Sequence, residues 1–158
     1  VSSERPLYLI RHAKAGSRYR WQGPDERRPL TKSGRRQAQA LVQQLRGRPI
    51  RRLLASPALR CVETLEPLAA ALGRPIERSD ALVEGSAAED VIALVEEIAR
   101  EGAAACCTHG DVLELALDWL RGSGVPLDGP AIAKKGSAWI LACRTGNVVS
   151  GRYLPPPG

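Results

Sequence analysis

The chain has 158 residues and a 44% apolar fraction, which is enough to bury a core as one ordered α/β domain over 1–158 and excludes a wholly disordered chain. No apolar run approaches the roughly 20 residues that span a bilayer, so a membrane is not an expected partner and a cytoplasmic location is expected. The net charge of +6, from 23 basic and 17 acidic residues, suits a pocket for phosphorylated molecules; nucleic acid is permitted by the charge but is not the expected partner.

The opening VSSERP lacks the basic, apolar and small-residue layout of a signal peptide. Val1 and the absence of methionine fit either a valine start or a piece of a longer chain. LYLI (7–10) reads as a short buried strand, and SRYRWQGPDERRPL (17–30), broken by Pro and Gly, as a loop. Thr31 or Ser33 can cap a helix over about 33–46, with Ala38, Leu41, Val42 and Leu45 at helical spacing. RRLLAS (51–56) is a second strand. Pro57 sits where helices begin, and 58–72 reads as a helix ending at Gly73. PIERS (75–79) is a third strand, SDALVEGSA (79–87) a loop and 87–101 an amphipathic helix closed by Gly102. AAACCT (103–108) is a fourth strand leading into a helix over 110–121. Residues 122–135 read as a Gly/Pro loop, SAWILACR and VVSGRYL as a hairpin turning on TGN, and PPPG as a tail.

Strands alternating with helices imply a three-layer α/β/α sandwich around a mostly parallel sheet. With no Phe and only three Trp and three Tyr, the core must come from Leu, Ala, Val and Ile, with Trp139 buried among them. Cys61, Cys106, Cys107 and Cys143 show no metal-type spacing and read as small apolar fillers. Ligands bind beyond the carboxyl ends of strands in such sheets, and polar residues gather there. The first strand ends on Arg11-His12. The second runs through Ser56-Pro57 into a helix whose first turn carries Arg60. Glu84 follows the third, and Thr108-His109-Gly110 ends the fourth. His12 and His109 are the only histidines in the chain.

These residue types make a phosphoryl-transfer set. A neutral imidazole can attack phosphorus and hold it as phosphohistidine. Guanidinium forks neutralise the phosphoryl oxygens, and a second histidine adds a hydrogen bond. A carboxyl group can protonate the leaving oxygen and then activate water. No step needs a metal or a cofactor. The basic loop residues Lys14, Arg18 and Arg20, and Lys134 and Lys135 before the hairpin, are weaker candidates for holding an anionic substrate. Trp21 is read as a wedge that fixes its loop to the body rather than as a stacking platform.

LYLIRHAKAG, RPLTKSGRRQAQAL, SPALRCVET and THGD, in that order over about 7–120, resemble the histidine phosphatase superfamily, also called phosphoglycerate mutase-like, with RHA in place of the commoner RHG. The chain is similar to short bacterial phosphohistidine phosphatases of the SixA type. It is also similar to the phosphatase-like domain that follows a Nudix domain in actinobacterial hydrolases, through RHAKAGSRYRWQG, DERRPLTKSGRRQA and KKGSAWIL. The resemblance implies His12 as nucleophile, Arg11, Arg60 and His109 as phosphate ligands, and Glu84 as the acid, with Asp111 and Glu89 as rival carboxylates. The expected activity is a metal-independent phosphatase acting on a phosphoprotein, phosphohistidine first, or on a small phosphate ester or nucleotide. The alternatives are a phosphoglycerate mutase-like transferase, which needs a more enclosed site, and a vestigial basic module that binds phosphorylated partners. A zinc hydrolase fails on ligand count.

Overall fold

The computed structural model describes residues 5–130 and 132–157. The opening VSSE, on which part of the signal-peptide reading rests, lies outside them, as do Ala131 and Gly158. In chain order the elements are β1 (Leu7–Arg11), α1 (Lys32–Leu45), β2 (Arg52–Ala55), α2 (Leu59–Leu72), β3 (Ile76–Arg78), α3 (Ala88–Glu101), β4 (Ala104–Thr108), α4 (Gly110–Gly122), β5 (Leu127–Asp128), β6 (Ala138–Arg144) and β7 (Asn147–Leu154). Single 3₁₀ turns occupy Asp25–Arg27 and Asp80–Leu82 within the two expected loops. No helix among the described residues is long and apolar enough to cross a membrane.

The strands form one sheet in the order β3-β2-β4-β1-β6-β7-β5. Only β6 runs against the others, pairing antiparallel with β1 and β7. The central strands are buried on both faces, and successive side chains alternate between the two helical layers as the two-residue period of a pleated sheet requires. Leu7, Leu9, Leu54, Cys106 and Trp139 face α3 and α4, whereas Tyr8, Ile10, Leu53, Cys107 and Ile140 face α1 and α2. The neighbours Cys106 and Cys107 thus serve opposite layers, and burial pushes the Cys106 thiol up to about 12, which keeps it an inert filler. The expected three-layer sandwich is the observed one.

Two details depart from the sequence reading. Leu127–Asp128, expected inside a loop, adds a short edge strand parallel to Gly151–Arg152. The hairpin turns on two residues, Thr145 and Gly146, both at positive φ, and β7 therefore starts at Asn147. Such a turn matches the twist of its strands.

Of the two capping candidates, Thr31 is the one used, its hydroxyl accepting from the Gly34 N–H at 3.0 Å. This start of α1 is docked on the segment that follows the first histidine: Lys14 O accepts from the Thr31 N–H at 2.9 Å. A Cβ on Gly34 would lie 1.9 Å from Lys14 O. Gly34→Ala is therefore expected to lower stability by about 3 kcal/mol as helix and loop separate. Gly122→Ala, with nothing within 4 Å, is the neutral control in the same thermal unfolding measurement.

Candidate active site

Parallel β1, β4 and β2 lie side by side, so their carboxyl ends bring Arg11-His12, Thr108-His109 and Ser56 to one edge of the sheet. The backbone there is tightly bonded. His12 N–H donates to Thr108 O at 3.0 Å, Ser56 N–H to Cys107 O at 3.0 Å, and Arg11 N–H to Ser137 O at 3.0 Å. Above them opens a cleft of about 550 Å³, whose lining includes Arg11, His12, Arg18, Arg28, Glu84, His109 and Lys135.

His12 is 6% exposed. Its Nδ1 lies 2.8 Å from Ala13 O; a carbonyl only accepts, so Nδ1 carries the proton and Nε2 keeps its lone pair. Burial, joined by the positive fields of Arg60, His109 and Arg11 and opposed by the Ala13 hydrogen bond, lowers the imidazole to about 3. The ring is neutral at physiological pH. Thr64 of α2 fixes the next peptide, accepting from the Ala13 N–H at 3.0 Å.

His109 is the N-cap of α4, and its ring stands edge-on to His12 with centroids 5.6 Å apart. Nε2 is 2.8 Å from Ser56 Oγ, and Nδ1 is 3.4 Å from Arg60 Nη2. Because a guanidinium only donates, Nδ1 accepts and Nε2–H is given to Ser56. Both nitrogens are thus engaged inside the protein, where the sequence reading has this ring donating to phosphate. The buried thiol of Cys61 lies behind it, 3.7 Å from Nε2.

Arg60, in the first turn of α2, is 1% exposed. Nη1 donates to Asp25 O at 2.9 Å and Nη2 to Asp25 Oδ2 at 3.1 Å. Asp25 Oδ1 accepts from Arg28 Nε at 3.0 Å and lies 3.8 Å from Arg18 Nε. One carboxylate therefore gathers three arginines, whose bonds and charges lower its proton affinity against the opposing effect of burial. Arg28 also ties down Gly16, donating from Nη1 to its carbonyl at 2.7 Å. Arg11 Nη1 donates to Ala133 O at 2.7 Å. Arg11 Nε and Arg60 Nε are buried without a hydrogen-bond partner among the described residues, so each clamp arginine retains a donor for an anion. Gly110, opening α4, has no room for a Cβ, which would fall 2.9 Å from Arg11 Cζ.

Glu84 stands at the rim, its Oε1 accepting from Arg18 Nη2 at 2.8 Å and its Oε2 4.0 Å from Arg60 Nη2. Of its rivals, Asp111 also lines the cleft and accepts from the Gly85 N–H at 2.7 Å, whereas Glu89 does not line it. Arg18 and Lys135 reach the lining; Lys14, Arg20 and Lys134 stand outside it. Trp21 donates from Nε1 to Pro24 O at 2.9 Å, a bond within its own loop. Asp25, Arg28 and Ser56 enter as functional neighbours that sequence reasoning did not assign. Arg28 and Asp25 sit in the DERRPLTKSG stretch, where an acid flanked by arginines before a helix cap was the available signal. No cluster of three or more His, Cys, Asp or Glu suited to a metal occurs among the described residues.

A mixed sheet between two helical layers, with Arg11 and both histidines at the carboxyl ends of adjacent strands and Arg60 in the first turn of the helix after β2, defines the phosphoglycerate mutase-like class. Residues 7–89 match the histidine phosphatase superfamily (branch 1), and the chain belongs to that family. It is 36% identical over 157 residues to the 8-oxo-(d)GTP phosphatase of Mycolicibacterium smegmatis (strain ATCC 700084 / mc(2)155), covering 97% of this chain and 49% of that protein. The chain thus spans about half the length of that relative. The fold is similar to the protein histidine phosphatase SixA complexed with tungstate (TM-score 0.72, 23% identity, covering 94% of this chain and 93% of that one). It is also similar to mycobacterial glucosyl-3-phosphoglycerate phosphatase (TM-score 0.71, 15% identity, covering 98% and 100%).

Proposed function

We propose that the chain is a phosphatase working through a phosphohistidine on His12, and that its substrate is a small phosphorylated compound of the nucleotide class. The observation that carries the mechanism is the neutral His12 ring, with Nδ1–H held by Ala13 O and the Nε2 lone pair free. In the first half-reaction Nε2 attacks phosphorus, the N–P bond forms and the bond to the leaving group breaks. Arg11 and Arg60 neutralise the charge that spreads over the phosphoryl oxygens. His109, its Nδ1 accepting from Arg60 Nη2 and its Nε2–H given to Ser56, holds the Arg60 guanidinium beside the nucleophile. Glu84 supplies the leaving oxygen's proton where the leaving group needs one. In the second half Glu84 takes a proton from water, the oxygen attacks phosphorus, and the N–P bond breaks to return His12 and inorganic phosphate.

The nucleotide class is favoured over a phosphohistidine protein by the relative at 36% identity, since the SixA likeness, at 23%, is one of fold. The test is to quench turnover of a radiolabelled phosphate ester in excess chelator. Label should stay on the protein in alkali, be released by acid and map to His12. Turnover that needs an added metal, or that leaves no acid-labile label under single-turnover conditions, would sink the mechanism.

A further inference from the structure

The turn preceding β6 is fastened to the Arg11-His12 pair. Gly136 N–H donates to Arg11 O at 3.2 Å and His12 O at 3.1 Å, Arg11 N–H donates to Ser137 O at 3.0 Å, and Arg11 Nη1 to Ala133 O at 2.7 Å. Gly136 adopts φ +82° and its Cβ position meets Gln37 at 3.1 Å, so the turn is built for close approach. Lys135 is carried by this turn, one residue from the glycine bonded to the nucleophile's own carbonyl. Lys135 lines the cleft and is exposed, whereas His12 and His109 are buried at the floor. The other rim cation, Arg18, is already paired with Glu84. The Lys135 ammonium has no hydrogen-bond or ion-pair partner among the described residues.

We infer that Lys135 is a specificity-determining residue that binds a second phosphoryl group, adjacent to the one transferred to His12, so that the site prefers a diphosphate to a monoester. This rests on the phosphatase reading of the same site. The transferred phosphoryl has Arg11, His12 and His109 at the floor of the cleft, with Arg60 buried beside His109; a cation at the rim of the same wall meets what lies one group further out. Lys135 is itself crowded by positive charge: burial lowers its proton affinity, and Arg11, Arg28, Arg18 and Lys14 lower it further. An anion beside it relieves that repulsion. Glu84 points the same way. Accepting from Arg18, it is arranged as a carboxylate acceptor, which suits the water-activating half-reaction. A phosphate leaving group released from an anhydride needs no proton from it.

The test compares the parent with Lys135→Ala and Lys135→Arg on an aryl phosphate, inorganic pyrophosphate and a nucleoside diphosphate. The expected result is a fall of about tenfold in the kcat/KM ratio of diphosphate over monoester for Lys135→Ala, with Lys135→Arg keeping most of it. A ratio that falls for both diphosphates assigns recognition to the diphosphate itself. A ratio that falls only for the nucleoside diphosphate assigns it to the diphosphate of a nucleotide. Equal losses on monoester and diphosphate, or no loss on either, would overturn the inference. Calorimetry with inorganic pyrophosphate against orthophosphate makes the same comparison without turnover. A parent that hydrolyses nothing would therefore sink the phosphatase reading, while the binding ratio still decides this one.

Discussion

Replacing His12 by alanine is expected to cut hydrolysis of an aryl phosphate by at least about 10⁴-fold, the scale of losing a covalent nucleophile. The variant should keep the circular dichroism of the parent, because the ring's only hydrogen bond among the described residues goes to its neighbour's carbonyl, Ala13 O. Excess chelator should change neither protein. Activity surviving in His12→Ala would remove the covalent mechanism altogether. The same residue sets a pH signature in stability. Burial holds the native imidazole at about 3 against an ordinary 6.5, so between those values the unfolded chain takes up a proton that the native chain refuses. The neutral ring's full contribution is present above pH 6.5 and is lost as pH falls towards 3, on the order of a few kcal/mol in total. His12→Ala should therefore show a shallower loss of stability over that window in urea titrations at pH 7 and pH 4. An unchanged pH dependence would mean that His12 is not buried neutral.

Both histidines were legible in the sequence because each ends a short apolar run, and strand ends in a parallel sheet converge without any knowledge of the loops. Arg60 was legible for a related reason: it follows Ser56-Pro57 in the first turn of a helix that starts at the same edge. Cys106 and Cys107 were legible as buried fillers, but that they serve opposite faces of the sheet shows only in the packing. What stayed hidden is made by long-range contacts within irregular chain. Asp25 lies 35 positions from Arg60 and Arg18 lies 66 from Glu84, and neither pair shares a period that a pattern could reveal. The edge strand Leu127–Asp128 was hidden by its length: two residues paired to one neighbouring strand have no alternation to detect. Ser56 was visible as a residue, but its bond to His109 exists only because β2 and β4 are neighbours.

Arg60→Ala is expected to lower kcat by about 10³-fold, the scale of removing a guanidinium that stabilises charge on a transferring phosphoryl group. Arg60→Lys should recover little of it, because an ammonium keeps the charge but cannot span Asp25 with two nitrogens and still offer a third donor. The more informative comparison adds Asp25→Ala. Asp25 is absent from the cleft lining, yet it holds Nη1 through its carbonyl and Nη2 through its carboxylate. Its carboxylate therefore acts on the reaction through Arg60, and also through Arg28, whose Nε it accepts. Two residues that act as one unit give non-additive losses. Asp25→Ala should cost about tenfold in kcat with Arg60 present, and much less once Arg60 is alanine. The residual effect in the double variant measures the share carried by Arg28 and the Gly16 loop. Losses that simply add would separate Asp25 from the clamp and leave Arg60 positioned by the packing of α2 alone, since the contact that couples them would then do no work in the transition state.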